Sequence, residues 1–209
     1  MIKIGITLDD VIRAKSKQIG YVYKKSINPD LKIDELDFST NDYQKIFGFN
    51  NKIEFNKFLY EDYSFEIFGE AGTMTPSLDK KLNLWHLSLN DNEDIDEMLD
   101  LVLISPMEFN TSICSTHFFL SKIATRVRET IFPSDTQKSW EVCDILITSE
   151  PKLLTNVPND KVCVKINTDY NKNIEFDKEL CFNTLEDFIS DDNNLLNIIK
   201  KYNEIKYGK

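Results

Sequence analysis

The sequence has few of the residues on which several common kinds of functional site depend. It contains two histidines, four cysteines and six glycines among 209 residues. The histidines, His86 and His117, are far apart, and His117 stands among apolar residues typical of a packing helix. We therefore interpret both histidines as structural and expect no histidine-based metal site.

The cysteines are too widely spaced for the patterns that usually give cysteine a structural role. Their spacing matches neither a disulfide framework nor the paired spacing of a zinc site. Free cysteine is among the most frequently buried residue types. We therefore expect buried thiols at Cys114, Cys143, Cys163 and Cys181.

Several catalytic and nucleotide-binding motifs are missing from the sequence. It has no Gly-x-Ser-x-Gly nucleophile elbow, no P-loop and no Gly-x-Gly-x-x-Gly dinucleotide turn. Glycine lets a backbone approach a ligand closely. Because the chain has so few glycines, we do not expect a loop that wraps closely around a phosphate.

Charge and hydrophobicity restrict the partners. The net charge of −10 and the pI near 4.8 disfavour nucleic acid as a partner. A local basic patch of Lys122, Arg126 and Arg128 is not excluded as a contact for nucleic acid. No apolar run approaches the roughly 18 to 20 residues of a membrane span, and the chain starts in a strand-like segment instead of a signal peptide. We expect a cytoplasmic protein without membrane contact.

Hydrophobic periodicity predicts an alternation of strands and helices. Short apolar runs indicate buried strands, and longer amphipathic stretches indicate helices. The predicted strands are 2–8, 101–105, 127–132, 144–148 and 162–166, with an edge strand at 180–183. Two helices are predicted to follow the first two strands and to end near residues 25 and 125. A short helix is predicted at 136–141, and a last helical region runs from 184 to 207 with a turn near 187–192. This order predicts an α/β fold, a Rossmannoid, mainly parallel sheet with helices on both faces.

The segment 28–99 has a different pattern, rich in Asn, Asp, Lys and aromatic residues and without strand-like runs. We predict a largely helical cap inserted into an α/β core formed by 1–27 and 100–209. Phenylalanine and tyrosine are frequent between 47 and 68, and a large exposed apolar patch marks interaction sites. We expect this region to form such a patch.

The first predicted strand ends in Thr7-Leu8-Asp9-Asp10-Val11. This segment resembles the opening motif of the 5′(3′)-deoxyribonucleotidases of the haloacid dehalogenase (HAD) superfamily, in which a strand leads into Asp-x-Asp-Asp-Val or Asp-x-Asp-Gly-Val. The resemblance puts Thr7 in place of the nucleophilic aspartate and Asp9 in the place of the general acid/base. Asp10 and Val11 complete the match.

Two later strand ends extend the resemblance. Ser105 resembles the family's phosphoryl-binding Ser or Thr, and Lys138 resembles its lysine with loose spacing. At the last motif, Thr148 and Ser149 occupy the places of the acidic magnesium ligands, and Glu150 comes one position late. The segment 165–171 is also similar to the family. The resemblance covers about residues 1–25 and 100–190.

The resemblance implies a phosphatase that has lost its chemistry. The family forms an aspartyl-phosphate and needs a carboxylate nucleophile beside magnesium. Because nucleophile and metal ligands are replaced together, we expect a pseudoenzyme without catalytic, cofactor or metal site. Hydroxyl residues at strand ends also have a purely structural interpretation, and Asp9 and Asp10 would then cap the first helix.

Three hypotheses for function follow. The first is a structural protein in a larger assembly, because the polar stretch from Lys200 to Lys209 is not expected to become ordered alone. The frequent use of Asn, Lys and Ile is typical of an AT-rich genome, which makes a bacteriophage virion a candidate for that assembly. The second is a nucleotidase-like phosphohydrolase with Asp9, Asp10 and Glu150 around Mg²⁺. The third is non-catalytic binding of nucleotide or phosphate through Ser105, Lys138 and backbone amides.

Overall fold

The computed structural model describes residues 1–89, 98–109 and 111–208 and contains one six-stranded parallel sheet. The strands are β1 (Ile2–Thr7), β2 (Leu99–Ile104), β3 (Glu129–Ile131), β4 (Ile145–Thr148), β5 (Val162–Ile166) and β6 (Cys181–Phe182). Their order is β3-β2-β1-β4-β5-β6, with every neighbouring pair parallel. This is a Rossmann-like α/β fold, as predicted.

The central strands are apolar at almost every position because both faces of the sheet are covered. Alternate residues of β1, such as Ile4 and Ile6, enter the larger core cluster. Gly5 lies on the opposite face, where an added Cβ would come within 2.7 Å of Ile104 Cδ1 and 2.9 Å of Cys143 Sγ. Only a glycine leaves room for the neighbouring side chains there.

Helices cover both faces of the sheet. The first face is covered by α4 (Leu78–Ser88), α5 (Thr111–Lys122), α7 (Leu185–Ile189) and α8 (Asp192–Tyr207), whose apolar residues share one cluster with β1. The second face is covered by a 3₁₀ helix, Thr136–Glu141, and by α6 (Pro151–Thr155). The predicted layering of helix, sheet and helix is therefore confirmed.

The C-terminal helix α8 packs on the chain's own sheet. It buries Leu195, Ile198, Ile199 and Tyr202, and the Tyr202 hydroxyl donates to Asp144 Oδ1 (2.9 Å). The expectation that the stretch from Lys200 requires a neighbouring protein for its order is therefore wrong. Lys209 lies outside the described residues.

The segment after α1 (Lys15–Ser26) is helical in short pieces, as predicted. A 3₁₀ turn, Ile33–Glu35, precedes α2 (Tyr43–Ile46), α3 (Lys52–Lys57) and two π-helical turns, Phe58–Asp62 and Phe65–Gly69. The last helix of the segment, α4, packs in the main core. The boundaries of the inserted cap stay a prediction, and part of that segment, 90–97, lies outside the described residues.

The aromatic residues of the insertion form a second core around α1. Phe47, Phe58 and Phe68 are buried there with Ile19 and Val22. Phe65 is the exposed exception, at 45% of its surface, and its ring contacts Phe118 of α5. The expected apolar surface over 47–68 is thus largely a core, because the short helices bury their aromatic rings against one another.

The cysteine prediction is correct at two positions and wrong at one. Cys143 and Cys163 are buried, and burial raises the pKa of Cys143 to about 12. Cys181 is half-buried, whereas Cys114 is exposed on α5. Among the residues that the structure describes, no helix is long and apolar enough to cross a membrane.

Candidate functional site

The candidate site lies where the strand order reverses, between β1 and β4. In Rossmann-like sheets the carboxyl ends of the two strands at this point form the usual ligand crevice. Here they enclose a cavity of about 120 Å³, which we call the switch-point cavity. Its lining residues are Thr7, Asp9, Asp10, Lys15, Asn41, Tyr43, Pro106, Met107, Thr136, Glu150 and Tyr170.

The hydroxyl residues at the two strand ends bond to each other and to backbone. Thr7 Oγ1 donates to Thr148 Oγ1 (3.1 Å), which accepts in turn from the Glu150 amide (3.1 Å). Ser149 Oγ donates to the carbonyl oxygen of Asp9 (3.1 Å). All three hydroxyl residues are buried. They join β1, β4 and the following loop, which is the structural role that the sequence left open.

The carboxylate of Asp9 is held between two cations. Its Oδ1 accepts from Nε (2.9 Å) and Nη2 (2.6 Å) of Arg13, and its Oδ2 accepts from Lys15 Nζ (2.6 Å). Burial alone would raise the pKa of Asp9, but the charges and hydrogen bonds of Arg13 and Lys15 outweigh burial and lower it. Asp9 is therefore a stabilised anion inside an ion network.

Arg13 carries this network into the centre of the molecule. Its side chain is completely buried, and its Nη2 lies 2.5 Å from Glu108 Oε1. Nη1 donates to Thr116 Oγ1 (2.5 Å) and to the carbonyl oxygen of Phe68 (3.3 Å). The guanidinium also lies 5.0 Å from the Phe68 ring centroid. Arg13 thereby joins the loop after β1, the loop after β2, α5 and the insertion.

Asp10 lies beside this network with a positive φ of 54°. Its Oδ1 accepts from the Ser16 amide (2.9 Å), and its Oδ2 accepts from the hydroxyls of Ser16, Tyr170 (3.2 Å) and Tyr43 (3.4 Å). Burial raises the pKa of Asp10. The N-cap residue of α1 is Ala14, which has no side-chain cap. Asp10 accepts from the first-turn amide of Ser16, whereas the oxygens of Asp9 bind cations.

Glu150 completes the acidic side of the switch-point cavity. It precedes α6, where Oε1 accepts from the Lys152 amide (3.5 Å), and its Oε2 accepts from Asn41 Nδ2 of the insertion (3.4 Å). Burial raises the pKa of Glu150. The structure thus brings Asp9, Asp10 and Glu150 to the lining of one cavity. The phosphohydrolase hypothesis requires more, because the three carboxylates must also lie within binding distance of one metal ion.

The magnesium ion implied by the resemblance nevertheless does not fit this set of donors. Mg²⁺ prefers charged oxygens with free lone pairs in an octahedral shell. Here Asp9 is neutralised by Arg13 and Lys15, and the strand ends supply hydroxyls. Within residues 1–89, 98–109 and 111–208, no group of three or more His, Cys, Asp or Glu residues could hold a metal ion.

Ser105 and Lys138 do not meet at the site. Ser105 is buried, donates to Glu108 Oε1 (2.5 Å) and accepts from Arg13 Nη2 (3.2 Å). Lys138 is exposed and donates to Ser134 Oγ (3.2 Å). Neither residue belongs to the cavity lining. Lys138 therefore lies outside the switch-point cavity, because the 3₁₀ helix presents it to solvent.

The switch-point cavity is also a poor match for a nucleotide. Ligand pockets usually have about 300 to 1,000 Å³, whereas this cavity has about 120 Å³. Three carboxyl groups and one lysine line it, so its charge opposes a phosphate.

No protein-family model matches the chain, and no curated protein matches its sequence. The similarity to HAD nucleotidases therefore depends on the motif residues and on the order of elements.

Sequence reasoning missed the residues that organise the site. Arg13, Lys15, Glu108, Tyr43 and Tyr170 contribute the charges and hydroxyls around Asp9 and Asp10. The available signals were weak: Arg13 follows Asp9 by four residues, and Glu108 follows Ser105 by three. Neither spacing indicates that the two side chains meet.

Proposed function

We propose that the chain is a non-catalytic, HAD-like protein related in pattern to 5′(3′)-deoxyribonucleotidases and that it acts as a structural and interaction subunit of a larger assembly. The observation that carries this proposal is the position of Asp9, fixed between Arg13 and Lys15 beside a neutral Thr7. A bacteriophage virion is the kind of assembly that the residue usage favours.

The nucleophile position supports the loss of catalysis. Formation of an aspartyl-phosphate requires a carboxylate, whereas a threonine hydroxyl needs an adjacent base. The hydroxyl of Thr7 contacts Thr148 Oγ1 (3.1 Å) and the carbonyl oxygen of Ile147 (3.5 Å). Neither partner is basic enough to take the proton.

The acid/base position supports the same conclusion. A general acid works best when its pKa lies near the working pH. The pKa of Asp9 is lowered, and both of its oxygens are bound to cations. The pKa of Asp10 is raised, but its oxygens accept hydrogen bonds from Ser16, Tyr43 and Tyr170.

The same residues have a structural task in this account. Arg13 bonds to the backbone of Phe68, and Asp10 accepts from Tyr43, so two groups at the strand ends hold the insertion against the sheet. Breaking one partner of a buried ion pair is strongly destabilising. In this proposal, Arg13 and Asp10 connect the insertion to the sheet.

The experiment that tests the proposal is phosphatase turnover by the purified protein. A panel of nucleoside 5′- and 3′-monophosphates and p-nitrophenyl phosphate is incubated with Mg²⁺, with an active phosphatase as positive control. We expect no turnover by the wild type. The Thr7→Asp variant is also expected to be silent, since a restored carboxylate does not free Asp9 from its cations.

Two further variants make the result decisive. Asp9→Asn removes the acid/base position, and Lys122→Gln changes a cation outside the cavity lining as the matched control. Turnover by the wild type that Asp9→Asn abolishes and Lys122→Gln preserves would contradict the proposal and favour a nucleotidase-like enzyme with a rearranged site.

A further inference from the structure

A surface groove runs beside the edge strand β3, away from the switch-point cavity. Its volume is about 510 Å³, and it lies between the C-terminal half of α5 and β3. Leu120 and Val127 are buried and form its apolar floor. Its polar margin includes His117, Ser121, Arg128 and Thr130.

The outer edge of β3 has the geometry to accept another strand. Among the described residues, β3 pairs only with β2. The carbonyl oxygen of Ile131 accepts from the Ser105 amide on the β2 side (3.0 Å). Because alternate residues of a parallel strand bond to the same neighbour, the amide and carbonyl of Thr130 point away from β2. Such an edge is a template for strand pairing.

Among the described residues, the charge around this edge is opposite in sign to the net charge of the whole protein. The described residues that line the groove include no Asp or Glu, although the chain carries 35 acidic residues. Arg126 and Arg128 are exposed, and neither guanidinium forms an ion pair or hydrogen bond within the described residues. The neighbouring Glu129 is already paired with Lys3 (2.5 Å).

We propose that the groove and the outer edge of β3 bind an extended, acidic segment of a partner protein by strand addition. The segment pairs with the backbone of Thr130, places alternate apolar side chains on Leu120 and Val127, and directs carboxylates to Arg126 and Arg128. This inference rests on the proposed function as an interaction protein and names the surface and the chemistry of the partner.

The first test uses a synthetic peptide that alternates valine with glutamate. Titration into ¹⁵N-labelled protein should shift the amide signals of Thr130 and Arg128, and added salt should weaken the binding. The double variant Arg126→Glu/Arg128→Glu should bind at least about tenfold more weakly. The double variant Lys24→Glu/Lys25→Glu makes the same charge change on α1 and should bind as the wild type does.

The second test separates strand pairing from charge attraction. Thr130→Pro removes the amide that points outward, and proline is tolerated on edge strands. Thr130→Val keeps that amide and is the matched control. Binding should be lost with proline and kept with valine, while circular dichroism reports whether each variant is folded. If Thr130→Pro does not fold, the arginine double variant decides.

Four outcomes would overturn the inference. The first two are no binding of the valine–glutamate peptide by the wild type and wild-type affinity in folded Thr130→Pro. The other two are equal binding of a peptide that alternates valine with lysine, and concentration-dependent shifts at β3 without peptide, which would identify a second copy of the chain as the occupant. None of these outcomes involves phosphatase turnover. If the wild type neither binds the peptide nor turns over a phosphate ester, only this inference is overturned. If the wild type binds the peptide and also shows phosphatase turnover, only the non-catalytic assignment is overturned.

Discussion

Oδ1 of Asp9 lies 2.6 Å from Nη2 of Arg13, whose side chain is completely buried. An arginine without solvent contact requires counter-charges, because an unpaired buried charge is costly. Glu108 supplies the second one, at 2.5 Å. Asp9 therefore belongs to the electrostatic balance of the core.

Replacing Arg13 by methionine should strongly destabilise the fold. The substitution keeps a long apolar stem but leaves Asp9 and Glu108 without their shared cation. Removing one partner of a buried ion pair costs roughly 3 to 5 kcal/mol. Urea unfolding measures the change, and Arg126→Met, at an exposed arginine, should stay within about 0.5 kcal/mol of the wild type. Equal stability of the two variants would refute the structural role of Arg13.

Asp9 and Asp10 should influence stability in opposite directions as the pH falls. The lowered pKa of Asp9 contributes stability that is present above its ordinary value of 3.8 and is lost as the pH falls through the folded-state pKa. The raised pKa of Asp10 costs stability at neutral pH, and that cost disappears as the pH falls through the folded-state pKa towards 3.8.

The measurement is unfolding free energy against pH for the wild type and Asp10→Asn. On acidification from neutral pH, the wild type should gain stability relative to the variant. Carboxyl carbon NMR should give a midpoint above 3.8 for Asp10 and below 3.8 for Asp9. The reverse order of midpoints would show that the charge distribution around the two carboxyls is wrong.

Tyr43→Phe should weaken the attachment of the insertion to the sheet. The hydroxyl of Tyr43 lies 3.4 Å from Asp10 Oδ2 and also contacts Ser16 Oγ. Loss of such a bond to a carboxylate costs about 1.5 to 3 kcal/mol. Tyr21→Phe is the control, because Tyr21 is half exposed on α1. Hydrogen exchange should accelerate around α2 in Tyr43→Phe, and unchanged exchange there would count against the attachment.

Gly5→Ala should destabilise the centre of the sheet. The added Cβ meets Ile104 Cδ1 at 2.7 Å and Cys143 Sγ at 2.9 Å. Overpacking of a core typically costs about 1 to 3 kcal/mol. Gly72→Ala, where nothing lies within 4 Å of the new Cβ, is the matched control in thermal unfolding. A Gly5→Ala protein as stable as the wild type would show that Ile104 and Cys143 pack more loosely against β1 than these distances indicate.

The sheet could be predicted from the sequence because buried parallel strands are continuous apolar runs. β5 matches its predicted range, and the 3₁₀ helix Thr136–Glu141 falls at the predicted residues. The role of the insertion's aromatic residues could not be predicted. The sequence pattern around rings such as Phe47 and Phe58 does not indicate whether they face solvent or pack against one another. The sequence pattern predicts α8 as a helix. Because the C-terminal half of α8 is mostly polar, the pattern does not indicate that Tyr202 is buried.

The candidate site was predictable only as a set of strand ends. Thr7, Thr148 and Ser149 meet because parallel strands bring their carboxyl ends to one edge. The contact between Arg13 and Glu108 joins residues 95 positions apart and depends on how the loops after β1 and β2 pack against each other. Lys138 looked like a motif residue, yet the orientation of a 3₁₀ helix decides its position. Such contacts are fixed by tertiary packing.

We infer that Asp9 is an internal counter-ion and not a magnesium ligand, and the first measurement to make is calorimetric titration of the wild type with Mg²⁺. We expect no saturable binding heat, and the same result for Asp9→Asn. Saturable Mg²⁺ binding by the wild type that Asp9→Asn removes would refute this role of Asp9, because it would mean that the carboxylate leaves Arg13 and Lys15 to bind a metal ion.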